Sequence, residues 1–208
     1  MFNYKNPSFR ASIGQAIAKI ESQSHVEMVL VIQPQTNTYT QYPLAIGSAL
    51  AFIALSYFRF APEVFDEWMI YAGTIVAFVL GAVLTGGIPA LLRRAVGRRH
   101  LEKSTEILAR AYFQKGGIQH TRDKTGVLVF IAVLENQVAI IPDRGVEGAI
   151  PPQEWQNIRR EFNSIFSARN PADALLARLE WLQTLFSQYI PQVEDDTNEL
   201  PDNLEIDL

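Results

Sequence analysis

Two long apolar stretches dominate the hydropathy pattern of this chain. Tyr42–Phe58 and Trp68–Leu92 contain no charged residue, and nine residues separate them. Polar sequence flanks the pair on both sides, which predicts a membrane hairpin inserted into a water-facing domain. A helix needs about 20 residues to cross a hydrocarbon core of about 30 Å. The second stretch offers 25 residues, with Gly86-Gly87 and Pro89 as places for a kink. The first offers 17. It extends upstream through uncharged Thr36–Gln41, and Arg59 beyond it can snorkel outward. The alternative, a helical pair buried in a soluble core, fits less well, because core helices are seldom this long and charge-free. The expected spans are 42–60 and 68–92, joined by a short external loop at 61–67.

Small residues recur at a spacing of four in the second span, at Gly73, Ala77, Gly81 and Thr85. The first span carries Ala45/Ala49 and Gly47/Ala51. Such faces let helix backbones approach closely in lipid. Packing of the two spans on each other is the expected use, and a homodimer through the same face is the alternative.

Outside the hairpin the periodicity changes. Ser12-x-x-Gln15 reads as a capping box opening a helix with Ile13, Ile17 and Ile20 on one face. His25–Gln33 reads as a strand stopped by Pro34. After the hairpin, Leu101–Gln114 reads as a helix ended by Gly116-Gly117. Gly126–Val133 and Val138–Ile141 read as strands joined by a turn at Glu135-Asn136, since Asn tolerates positive φ. Asp143-Arg144-Gly145 reads as a loop. Pro151-Pro152 opens a helix with Trp155, Ile158, Phe162, Ile165 and Phe166 on its face. Asn170, Pro171 and Asp173 start another, with the stripe Leu175, Leu176, Leu179, Leu182, Leu185, Phe186 and Ile190. These stripes are core positions. Continuous apolar strands predict a sheet covered on both faces. The result is an α/β sandwich split by the transmembrane hairpin, with residues 1–41 as its first part and 93–192 as its main part.

Composition narrows the reading. Hydrophobic residues make up 48% and charged residues 19%, too apolar for disorder and too polar for a multi-span transporter. There is no cysteine among the 208 residues, which excludes disulfides, thiolate zinc sites and cysteine nucleophiles. Net charge is −4, unevenly spread. The tail at 193–208 holds seven acids and no base, leaving 18 basic against 15 acidic residues elsewhere. By composition this tail is a solvated, disordered end; the sharper alternative is a docking peptide for a basic partner. No basic stripe points to nucleic acid. Met1–Arg10 is polar and lacks the apolar core of a secretory signal.

Positive charge sets orientation. Arg93, Arg94, Arg98 and Arg99 follow the second span, and Lys5, Arg10 and Lys19 precede the first. The connection sets Arg59 against Glu63, Asp66 and Glu67. Both soluble parts and both termini are therefore expected on the cytoplasmic side of an inner membrane, with Trp68 and Tyr71 as interface anchors. The four arginines can also bind anionic headgroups, a role that sequence does not separate from topology.

Ala111-Tyr112-Phe113, Gly117-Ile118, Thr121, Thr125–Ile131 and Val138–Val146, with Trp155, Ile190-Pro191 and, upstream, Ala16-Ile17, Glu21 and Glu27, form a distributed pattern. Together these stretches resemble the TPM domain family, named for a thylakoid lumen protein, a photosystem II repair protein and a nematode receptor modulator. The resemblance covers roughly residues 10–191. One departure is Glu135-Asn136, where related sequences often place a basic residue after the Glu. The resemblance implies an α/β/α sandwich. Tyr42 begins the first span as in members with an inserted hairpin. Some members are described as calcium-binding and as acid phosphatases.

Candidate chemistry is sparse. Asp143 lies where a strand ends and a loop begins, where α/β folds often place ligands. Asp123 precedes the neighbouring strand, so an antiparallel pair would bring the two together. With Glu147 they would offer oxygens to a hard cation such as Ca²⁺ or Mg²⁺. The plainer alternative is that Asp143 caps a turn or pairs with Arg144, and that Asp123 is a solvated loop acid. His25, His100 and His120 lack ligand spacing, and surface roles fit them better. No G-x-S-x-G, P-loop or G-x-G-x-x-G is present. The favoured expectation is a membrane-anchored module that acts by binding other membrane proteins. The alternative is a divalent-metal-dependent phosphatase.

Overall fold

The computed structural model describes residues 6–193. The acidic stretch from Glu194 onward, like Lys5, lies outside the described residues. In chain order the elements are α1 (Pro7–Glu21), β1 (Glu27–Gln33), α2 (Gln41–Phe60), α3 (Glu67–Gly87), α4 (Pro89–Val96), α5 (Arg98–Lys115), β2 (Gly126–Ala132), β3 (Gln137–Pro142), α6 (Arg144–Ala149), α7 (Pro152–Asn163) and α8 (Pro171–Tyr189). They fall into two compact units, one of residues up to Thr36 and from Glu102 onward, the other of Asn37–Leu101.

The first unit is built on a three-stranded sheet in the order β1-β2-β3. β1 pairs with β2 in parallel, Glu27 opposite Gly126 and Gln33 opposite Ala132. β2 pairs with β3 antiparallel, Val127 opposite Pro142. A parallel pair cannot be closed by a tight turn; here the connection is the whole of 34–125, so the sheet joins strands from before and after the hairpin. Alternate side chains point to opposite faces. Met28, Leu30, Val127, Val129 and Ile131 pack with Ile17, Ile158, Phe162, Leu179 and Phe186 from α1, α7 and α8. Val29, Val31, Leu128, Phe130 and Ala132 pack with Ala109, Tyr112 and Phe113 of α5. Every β2 residue is buried, as a central strand covered on both faces requires. This is an α/β/α sandwich.

Two local readings are corrected. The first helix does not open at Ser12: Asn6 caps it, accepting from Ser8 N at 3.1 Å, with Pro7 in the first turn. Ser12 lies inside the helix and its hydroxyl donates back to Ser8 O at 3.0 Å, the bond a mid-helix serine makes. Asp143-Arg144-Gly145 is not a loop but the start of α6, capped by Asp143 and held by buried Val146. Other signals read as expected. Asn136 has φ +52° at the β2–β3 turn, and Asn170 Oδ1 accepts from Ala172 N at 3.2 Å above Pro171.

The second unit is the helical hairpin of α2 and α3. Both helices are long and apolar enough to cross a bilayer. Gly47 and Gly81 meet where they pack: a Cβ on Gly81 would stand 3.0 Å from Gly47 Cα, and one on Gly47 would stand 2.7 Å from Phe78 O. The small-residue faces thus hold the two helices together, as close backbone approach requires. Near the turn between them, Phe58 and Phe65 stack edge-on at 5.0 Å. α3 stops at Gly87 and does not run on to Leu92; Ile88 is extended and Pro89 starts a separate helix.

Candidate functional site

Three chain segments meet at the end of the sheet where β1 and β2 begin and β3 ends. The loop before β2 is fixed from within: Thr121 Oγ1 accepts from Thr125 N at 3.1 Å, Lys124 Nζ donates to Gln119 O at 2.6 Å, and Lys124 takes φ +59°. The segment after β3 is stitched to it. Asp143 N donates to Gly126 O at 2.8 Å and Gly145 N to Lys124 O at 3.0 Å. A Cβ at residue 145 would lie 2.6 Å from Asp123 O and 2.7 Å from Lys124 O. Only glycine permits this approach.

The three candidate acids have different fates. Asp143 is buried. Its Oδ1 accepts from Arg144 N at 2.7 Å, while Oδ2 is buried with no hydrogen-bond partner among the described residues. The Asp123 carboxylate turns to β1, with Oδ2 3.0 Å from His25 Nε2, and its side chain is 59% exposed. Glu147 is exposed in the first turn of α6, and its main-chain carbonyl accepts from Trp155 Nε1 at 3.4 Å. The backbones at 123 and 143 are thus neighbours. Among the described residues no three or more His, Cys, Asp or Glu side chains form a group fit to hold a metal. The buried Oδ2 and adjacent carbonyls are hard oxygen donors, the type that Ca²⁺ and Mg²⁺ take.

A groove of about 240 Å³ runs along the outer edge of β3. Thr105 and Glu106 of α5 line one side, Arg159 and Asn163 of α7 the other, and β3 itself the floor. Asn163 Oδ1 accepts from Val138 N at 3.0 Å, so even-numbered β3 residues turn their main chain outward. Arg110 and Glu106 pair across one helical turn at 2.8 Å.

Residues 96–184 match the family model described as TPM domain. The chain carries a TPM domain. The fold agrees with the NMR structure of BA42 protein from the psychrophilic bacterium Bizionia argentinensis, at a TM-score of 0.56 and 15% identity, over 95% of this chain and 91% of that one. Among curated proteins none matches the chain.

The TPM match begins after the hairpin and takes in the sheet end just described. It leaves out α1 and β1, although β1 completes the sheet. Sequence reasoning brought Asp123 and Asp143 to one end of the TPM sheet but did not find the His25–Asp123 pair. It also missed the opposite end. There Glu135 is buried at the β2–β3 turn, and its Oε1 accepts from Thr36 N and Thr36 Oγ1, each at 2.8 Å. Val133 N and Leu134 N donate to Gln33 O and Pro34 O at 3.0 and 2.9 Å. An acid at the tip of an otherwise apolar hairpin was the available signal.

Proposed function

We propose that this protein is a membrane-anchored TPM module that faces the cytoplasm and acts by binding, helping to assemble or maintain other membrane proteins. The observation that carries this reading is the place of the hairpin in the chain. α2 and α3 interrupt the sequence between two strands that pair in parallel, so the folded domain is tied to the hairpin at both of the hairpin's ends. A core pair in a soluble protein would be covered, yet only 6% and 11% of the apolar windows of α2 and α3 are buried against protein. The arginines after α3 and the acids between α2 and α3 favour a cytoplasmic domain.

Binding is favoured over catalysis by the β3 edge. An edge strand with outward main-chain groups is a template for an added extended segment, and the groove gives that segment room. The Asp123 carboxylate is already held by His25. The test has two parts. After alkaline carbonate washing, the protein should remain in the membrane pellet. In mild detergent, a photo-crosslinker at Arg159, exposed on the α7 side of the β3 groove, should capture the same membrane proteins reproducibly. Release by carbonate would reject the anchor, and capture of no consistent membrane protein would reject the binding role.

The orphaned Asp143 Oδ2 favours one second reading, a divalent-metal-dependent phosphatase. Asp143, Asp123 and Glu147 would supply carboxylate oxygens to Ca²⁺ or Mg²⁺, and a metal so held polarises a phosphate ester and activates water. An ion at 100 times its dissociation constant stabilises the folded state by about 2.7 kcal/mol. This reading therefore expects an upward shift of the unfolding midpoint with Ca²⁺, Mg²⁺ or Mn²⁺, absent in Asp143→Asn, and phosphate release that needs the ion. No shift with any of the three ions would remove it.

A further inference from the structure

The chain between α3 and α5 is broken twice. Ile88 is extended at φ −109° and ψ 105°, and Gly97 takes φ +84°. The eight residues between are a helix of their own rather than the tail of α3. On α4, Leu92 and Val96, four apart, are buried, while Leu91 and Arg94, three apart, share the outward face and are exposed. A leucine beside an arginine on the outer face of a short helix, just where a span ends, suits the boundary of a bilayer: the leucine enters the acyl region and the guanidinium reaches phosphate level. Arg93 is on the same helix, and Arg98 and exposed Arg99 follow Gly97. Arg93 and Arg98 already have partners within the protein, so exposed Arg94 and Arg99 are the guanidinium groups that face outward for a ligand. Tyr42 and His100 meet edge-on at 6.2 Å, with Tyr39 6.3 Å from Tyr42; aromatic groups of this kind gather at headgroup level.

We propose that α4 with exposed Arg94 and Arg99 is a binding surface for anionic phospholipid headgroups of the bilayer that holds the hairpin. The inference rests on α2 and α3 being membrane spans. Charge complementarity selects the ligand, because guanidinium forks bind phosphate oxygens in pairs. It goes beyond orientation: a topological signal needs only positive charge, whereas this surface retains particular lipids.

The experiment reconstitutes the full-length protein in vesicles of equal parts phosphatidylcholine and phosphatidylglycerol. The protein is then extracted in mild detergent and its co-purifying lipid is counted by native mass spectrometry. Retained lipid should be enriched in phosphatidylglycerol over the vesicle, and R94Q/R99Q should lower the enrichment about fivefold or more. R94K/R99K keeps the charge and should fall between the two. Carbonate washing of the same vesicles separates the two readings: protein washed out rejects the spans, whereas protein retained with no lipid preference rejects only the lipid surface. Enrichment unchanged in R94Q/R99Q, or abolished by inorganic phosphate, would also overturn the proposal, the latter by assigning the arginines to a soluble anion.

Discussion

Glu135 places a carboxyl group at a buried turn, where a polar group is costly unless it is bonded. Its Oε1 accepts two hydrogen bonds from Thr36, which fixes the strand end that leads toward α2. A typical hydrogen bond contributes about 0.5–1.5 kcal/mol net of its exchange with water. Glu135→Ala should therefore destabilise the domain by about 2 kcal/mol, lowering the midpoint by roughly 4–8 °C at this size, and Thr36→Val should cost less because only the hydroxyl bond is lost. Thermal unfolding of the two variants beside the parent checks the order; equal midpoints would show that the pair is idle. Gly145→Ala should cost about 1–3 kcal/mol, because its Cβ would overlap two carbonyl oxygens of the loop before β2. At this scale the sequence was readable wherever one residue's chemistry dictates its own backbone. Asn136 at positive φ and Asn170 beside Pro171 are such cases. Ser12 misled because Ser-x-x-Gln is only a local match, and Asn6-Pro7 upstream supplied a stronger start. Glu135 and His25 were not readable, since their partners lie 99 and 98 residues away.

At the scale of elements, hydrophobic period and length carried most of the information. The apolar stripes of α7 and α8, the two-faced burial of β1 and β2, and the length of α2 all follow from periodicity. α6 did not, because six residues with two glycines have poor intrinsic helicity. Its helix exists through the Asp143 cap and the burial of Val146, both tertiary facts. α4 was likewise merged with the second span by a pattern that counts apolar residues, although the kink expected at Gly86-Gly87 and Pro89 brackets the backbone break at Ile88. The hairpin gives the element-scale prediction. Gly47 and Gly81 approach within backbone contact, so Gly81→Leu should force α2 and α3 apart, while Ala77→Leu, at the neighbouring small position, tests the same seam. A cysteine pair at Pro43 and Gly86, where the two Cβ positions stand 3.7 Å apart, suits a disulfide, and in Gly81→Leu it should crosslink at least several-fold less than in the parent. Equal yields would place the seam elsewhere.

At the scale of the molecule, both hydrophobic clusters draw their buried residues from outside 37–101 alone. The larger spans Phe9–Leu30 and Val127–Ile190, the smaller Val29–Val31 and Ala109–Ala132. Among the described residues neither cluster takes a buried member from 37–101, although that segment interrupts the chain between two strands of the sandwich. It follows that replacing 37–101 by a flexible Gly/Ser linker should leave a folded, cooperative domain that stays in solution after high-speed centrifugation. Removing residues before Thr36 as well should not, because β2 then loses its parallel partner and Leu128 and Phe130 lose Val29 and Val31. Circular dichroism and urea unfolding of the two proteins decide the matter. A cooperative transition in the first and none in the second is expected. A cooperative transition in both would make β1 and α1 dispensable, and the hairpin would then be an extension in front of a complete domain rather than an insertion within one.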